Sequence, residues 1–165
     1  MDLTLRPARE TDVPRLIEIA RRAWLAAFAQ TAPFALITFW AGSDRTAKWY
    51  EREWRDMIVA EEDGVVIGLV QPKRDEINGL WVHPARHGAG AGSTLLRAGE
   101  DVIRAAGHST AWLVCSAFND LALRFYRARG YREVRRDPGH HECGIDYVDI
   151  RMERSLAASA SGAAR

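Results

Sequence analysis

The apolar positions of this chain follow two periods, and the switches between them mark out the elements. Leu3-Thr4-Leu5-Arg6-Pro7 alternates and stops at a proline, which predicts a short strand. From Val13 the period lengthens: Val13, Leu16, Ile17, Ala20, Trp24, Ala27 and Phe28 share one helical face, with Asp12 as the cap and Pro14 in the first turn. Residues 34–40 read as a short apolar helix, Gly42-Ser43-Asp44 as a break, and residues 47–54 as another helix. Residues 57–61 and 65–70 read as strands joined by the hairpin turn Asp63-Gly64, with Pro72 ending the second. Residues 77–82 form the next strand. A glycine-rich loop follows, then a helix from about Gly92 to Ala106 with Gly107 as its C-terminal stop. Residues 111–115 give a further strand. Asn119 caps a helix through Arg129 that places Leu121, Phe125 and Ala128 on one face and ends at Gly130. Strands over 131–134 and 147–152 close the chain. Hairpins early and β-α-β units late predict an α/β protein with a mixed sheet and helices on both faces.

Composition narrows the classes. At 165 residues, 47% hydrophobic and 27% charged, the chain suits one domain, taken as 1–154, with a low-complexity, frayed tail over 155–165. The net charge of +1 offers no basic field for nucleic acid. Two cysteines, Cys115 and Cys143, make no disulfide framework. No window reaches the roughly 18 apolar residues of a membrane span, and no leader peptide is visible, so a cytoplasmic protein is expected. Four of the six tryptophans (Trp24, Trp40, Trp49, Trp54) fall in the first third, and at that density the core is the expectation for each.

The candidate chemistry gathers where strand 77–82 meets the following helix. Gly88, Gly90 and Gly92 stand at alternate positions between them. Glycine permits φ > 0 and a close approach of ligand to backbone, and a helix N-terminus presents free N–H groups to phosphate. A Walker loop is excluded, because Gly92 is followed by Ser93-Thr94 without a lysine. A dinucleotide fingerprint is off by one place, its third glycine arriving early at Gly92.

Two stretches together resemble the GCN5-related N-acetyltransferase (GNAT) family. The family loop, [Gln/Arg]-x-x-Gly-x-[Gly/Ala], falls on His87-Gly88-Ala89-Gly90-Ala91-Gly92, with histidine at the first position and Arg86 beside it as a substitute cation. The family helix falls on Asn119-x-x-Ala122-x-x-Phe125-Tyr126 and ends at Gly130-Tyr131. The resemblance covers nearly the whole chain and is strongest over 76–134. It implies a GNAT-like acyl-CoA N-acyltransferase fold: a mixed, mostly antiparallel sheet of six or seven strands, splayed in the middle between strands 77–82 and 111–115.

It also implies roles. Acetyl-CoA would bind through Trp81, Val82, His87, Gly88, Ala89, Gly90, Ala91, Gly92, Ser93, Asn119 and Tyr126, with a main-chain N–H near Val82 facing the acetyl carbonyl. Tyr126 would be the general acid for the leaving thiolate. Glu76 would be the base, on one strand face with residues 78, 80 and 82. Val114 stands where some relatives carry an alternative glutamate. The acceptor, a small-molecule or peptide amine, would contact residues 24–56 and the loop 137–147, including Asp146 and Tyr147. Cys115 reads as a small buried hydrophobe, and His140-His141-Glu142-Cys143 as a polar loop without metal. An exposed final strand would allow a homodimer. Three readings stay open: an N-acetyltransferase working in a ternary complex, a non-catalytic acyl-CoA-binding regulatory domain of the same fold, and an ATP-binding module using the glycine loop.

Overall fold

The structure, a computed structural model, describes residues 3–157. Seven strands form one sheet: β1 (Leu3–Pro7), β2 (Ile58–Glu62), β3 (Val65–Lys73), β4 (Glu76–Val82), β5 (Thr110–Ser116), β6 (Arg132–His140) and β7 (Asp146–Ser155). Their order is β1-β2-β3-β4-β5-β7-β6. Every neighbouring pair is antiparallel except β4 with β5. The helices are α1 (Val13–Phe28), α2 (Phe34–Ala41), α3 (Arg45–Glu53), α4 (Ala91–Ala105) and α5 (Asp120–Arg127). The expected mixed, mostly antiparallel sheet is therefore present. Among the described residues no helix is long and apolar enough to cross a membrane.

Two cores lie on opposite faces of the sheet. On one, Leu95, Leu96 and Ile103 of α4 and Leu123 and Tyr126 of α5 pack on Val70, Ile77 and Leu113. On the other, Leu16, Ile19 and Ala20 of α1 and Tyr50 of α3 pack on Val59, Val66 and Leu69. Strand alternation assigns the faces, since neighbours along a strand point opposite ways. Turn chemistry holds where it was expected. Asp63 and Gly64 both have φ > 0, the conformation of the tightest hairpins. Gly107 ends α4 with its N–H on the Arg104 carbonyl and the His108 N–H on the Ile103 carbonyl, satisfying two terminal carbonyls.

Several expectations are corrected. The buried face of α1 is turned toward Ile19 and Ala23 instead of Trp24 and Ala27. Asp12 does not cap α1 with its side chain. Its carboxylate accepts from the Arg9 N–H at 2.7 Å and from the Arg6 guanidinium at 2.7 and 3.0 Å, fastening the chain before the helix. Pro72 does not end β3, because a register shift between Gln71 and Pro72 takes up the missing donor. β6 runs on to His140, so much of the expected loop 137–147 is paired strand. The last strand is not an edge: β7 lies between β5 and β6, so the edge at that end of the sheet is β6. Ser155 closes β7 and Leu156 is buried, so the chain is ordered past 154. The rest of the expected tail, 158–165, lies outside the described residues, as do residues 1–2.

Candidate active site

β4 and β5 are in register at only one place, Glu76 with Trp112, where the Trp112 N–H reaches the Asp75 carbonyl at 3.0 Å. Beyond it they part and leave a cleft of about 560 Å³. The β4 edge facing the cleft carries free backbone. His83 donates to Ile67 of β3 at 2.8 Å, so strand alternation turns the Val82 N–H to the opposite, open side. Of the residues expected to bind acetyl-CoA or to catalyse transfer, all but Ala89 and Glu76 line this cleft.

The glycine turn stands at the open end. Gly90 is the N-cap of α4 with φ +87°, a left-handed conformation that strains any residue with a Cβ. Gly92 answers a different demand, since a Cβ there would lie 3.2 Å from the Phe125 ring. The N–H groups of Ala91, Gly92 and Ser93 open α4 and have no helical partner. The charges around the turn differ from expectation. The His87 Nε2–H donates to the Val82 carbonyl at 2.9 Å, so this ring braces the strand end. Arg86 is held by Glu62 at 2.6 Å. The cation that joins the turn is Arg129, which donates to Ser93 Oγ and lies over the Phe125 ring at 3.6 Å. It stands 36 residues beyond Ser93 in the chain; its place just before Gly130 was the one signal available.

Tyr126 lies in the cleft wall, 8% exposed, edge-on to Phe125 and Tyr131. Burial, with Cys115 adding, pushes its phenol well above the usual tyrosine range, so it keeps its proton at neutral pH. Burial likewise pushes the Cys115 thiol up to about 12, the wrong direction for a nucleophile. The Asn119 side chain accepts from the Ala122 N–H at 3.0 Å and caps α5 as expected, and the residue also lines the cleft.

Glu76 stands apart. The register shift makes Asn78 an extra residue in β4, so the alternation breaks there. Ile77 packs toward α4 with Leu80 and Val82, while Trp81 packs toward α1. Glu76, next to Ile77, falls on the α1 side, so the expected common face of 76, 78, 80 and 82 does not form. Burial and the neighbouring Asp75 hold its carboxyl above the ordinary carboxylate range.

A second cavity, about 290 Å³, adjoins the cleft on the α1 side. Trp24, Asn78, Gly79 and Trp81 line both spaces. Trp40 and Trp49 join Trp24 in its wall, so three tryptophans expected in the core face a cavity instead. Trp24 stacks on Trp40 with ring centres 4.1 Å apart. Trp54 does pack against the α1-side core. The β6–β7 hairpin reaches this region: His141 meets Phe39 edge-on, and Glu142 pairs with Arg45. Asp146 and Tyr147 line neither cavity. Among the described residues no group of three or more His, Cys, Asp or Glu side chains could hold a metal ion.

A family model, described as the acetyltransferase (GNAT) family, matches residues 13–131. The chain belongs to that family. It is 29% identical over 154 residues to an uncharacterized N-acetyltransferase of Mycobacterium tuberculosis, covering 86% of this chain and 97% of the relative. Solved structures share the GNAT fold. A GCN5-related N-acetyltransferase from Rhodopseudomonas palustris has a TM-score of 0.82 at 24% identity, covering 94% of this chain and 97% of its own. The PaiA N-acetyltransferase of Thermoplasma acidophilum, solved with coenzyme A, has a TM-score of 0.76 at 22% identity, covering 94% and 99%. YncA of Salmonella typhimurium, solved with its cofactor acetyl-CoA, has a TM-score of 0.70 at 24% identity over both full chains. At these identities the likeness is one of fold.

Proposed function

We propose that this GNAT protein moves the acetyl group of acetyl-CoA to a primary amine, with both substrates bound at once. The observation that carries the proposal is the cleft between β4 and β5, which has unpartnered helix N–H groups at one end and a protonated phenol in its wall. The donor's diphosphate suits the turn. Peptide N–H groups and the positive end of the α4 dipole favour an anion, and Arg129 adds a full charge. The pantetheine arm suits the free edge of β4, and the similar Thermoplasma and Salmonella structures hold coenzyme A and acetyl-CoA respectively.

Bound there, acetyl-CoA supplies a thioester carbonyl activated for acyl transfer. The chain's own groups do the rest. The Val82 N–H meets the carbonyl oxygen as negative charge gathers on it. As the amine nitrogen bonds to the carbonyl carbon and the carbon–sulfur bond breaks, the Tyr126 hydroxyl gives its proton to the departing sulfur. Glu76 receives the amine's proton through water rather than by contact, because six residues of strand separate it from Val82 by about 20 Å. Cys115 stays a neutral thiol, so transfer is direct.

The test mixes protein, acetyl-CoA and a panel of amines and follows free thiol. Thiol release with one acetylated amine per turnover supports transfer. Tight CoA binding with no release across the panel would make the protein an acyl-CoA-binding domain instead. CoA should raise the melting temperature and ATP should not; the reverse would identify a nucleotide site.

A further inference from the structure

A side chain in the wall of the second cavity carries a polar atom that the fold leaves unsatisfied. Gln71 on β3 is 1% exposed. Its Oε1 accepts from Asn78 Nδ2 at 2.9 Å, while its Nε2 has no partner among the described residues. A buried amide donor without a partner costs free energy, and most buried donors in folded proteins are paired. Gln71 lies directly opposite Gly79, which carries no side chain, across the β3–β4 pair, and both residues line this cavity. The unpaired N–H₂ therefore belongs to a buried side chain in the wall of a space that a ligand could fill.

The walls say what shape of ligand. Trp24, Trp40, Trp49, Tyr50 and Trp81 surround the space with ring surface. Flat rings against flat rings gain from offset and edge-on contact beyond their buried area. Among the described residues no aspartate or glutamate lines either cavity, and the charged residue in the wall of the second is Arg45. A polyamine would find no carboxylate in these walls to pair with, and the Arg45 cation there is already paired with Glu142. The cavity shares Asn78, Gly79, Trp24 and Trp81 with the cleft, so an amine held in it lies next to the proposed thioester end.

We infer that this cavity seats the acceptor, and that the acceptor is a primary amine carrying an aromatic ring and a carbonyl oxygen, as in an aromatic amino-acid amide: the ring among the tryptophans, the oxygen on Gln71 Nε2. The inference rests on the acetyl-transfer reading and names its substrate class. Gln71 acts as a specificity residue. A site that binds a ligand oxygen through a buried donor penalises analogues lacking that oxygen, because the donor is then buried unpaired.

The experiment compares phenylalanine amide, phenethylamine (ring, no carbonyl), glycinamide (carbonyl, no ring) and spermidine as acceptors. We expect kcat/KM for phenylalanine amide to exceed that of phenethylamine and of glycinamide each by about tenfold or more, with spermidine last. Gln71→Met, of similar volume, should bring the phenylalanine amide to phenethylamine ratio close to one, leaving acetyl-CoA affinity unchanged. Trp49→Ala, at a half-exposed position, should raise KM for both aromatic amines together and spare the ratio. A preference for spermidine, or a ratio unmoved by Gln71→Met, overturns the inference. Tryptophan fluorescence titration with phenylalanine amide in the presence of CoA separates the two levels. Saturable quenching that Gln71→Met weakens, without thiol release, would keep the site and reject acetyl transfer. Absence of saturable quenching while CoA still binds would reject the site alone.

Discussion

The two ends of this molecule's cleft offer different means of recognition. The glycine turn offers backbone: N–H groups at the start of α4, held open by a left-handed Gly90 and by the absence of a side chain at Gly92. The adjoining cavity offers side chains: tryptophans from α1, α2, α3 and β4 and a buried amide from β3. Backbone recognition needs small residues at fixed spacing, and a short motif can carry it. Side-chain recognition needs surfaces brought from five elements, and no spacing along the chain encodes it. The difference teaches why a donor can be read from a family motif while an acceptor cannot.

That division can be broken or sharpened by substitutions, the first of which belongs to neither end. Tyr126→Phe removes the proposed proton donor between them. It should lower kcat about 100-fold, with donor affinity and acceptor KM nearly unchanged. A loss confined to either binding constant would place Tyr126 on one side. Because burial holds the phenol protonated, the wild type should keep its activity on the alkaline side well past the pH at which an ordinary tyrosine ionises.

Asp12→Ala attacks the frame of the side-chain end. The carboxylate ties Arg6 and the Arg9 N–H at the entry to α1, which carries Trp24. Its loss should cost about 2 kcal/mol of stability, measured by urea unfolding. The sign of the pH effect follows from Arg6, which holds the Asp12 carboxyl below its usual 3.8. The stabilisation is thus present above the unfolded value and is lost as pH falls through the lower folded one. The variant should lack that acid-sensitive component.

Gly90→Asp attacks the backbone end, adding strain and a negative charge where the diphosphate is proposed to sit. CoA affinity should drop by about tenfold, read by calorimetry, while acceptor KM stays put. An equal effect on both substrates would erase the contrast between the two ends. Glu76→Gln should have the smallest effect. We expect a few-fold loss of kcat, greatest at neutral pH and fading as the amine loses its own proton at higher pH. A pH-independent loss would remove Glu76 from the proton path.

The sequence alone determined the strands, the hairpin at Asp63-Gly64, the stops at Gly107 and Gly130 and the cap at Asn119, because each depends on neighbours within a few residues. It also carried the family resemblance, since the glycine turn and the Tyr126 helix are local patterns. Only the tertiary structure decided that Arg129 joins the glycine turn, that the bulge at Asn78 turns Glu76 to the other face, and that three tryptophans line a cavity instead of filling the core. Those facts depend on strand register and on the way α1, α2 and α3 lie over the sheet. Such contacts join residues tens of positions apart, and neither period nor composition along the chain specifies them.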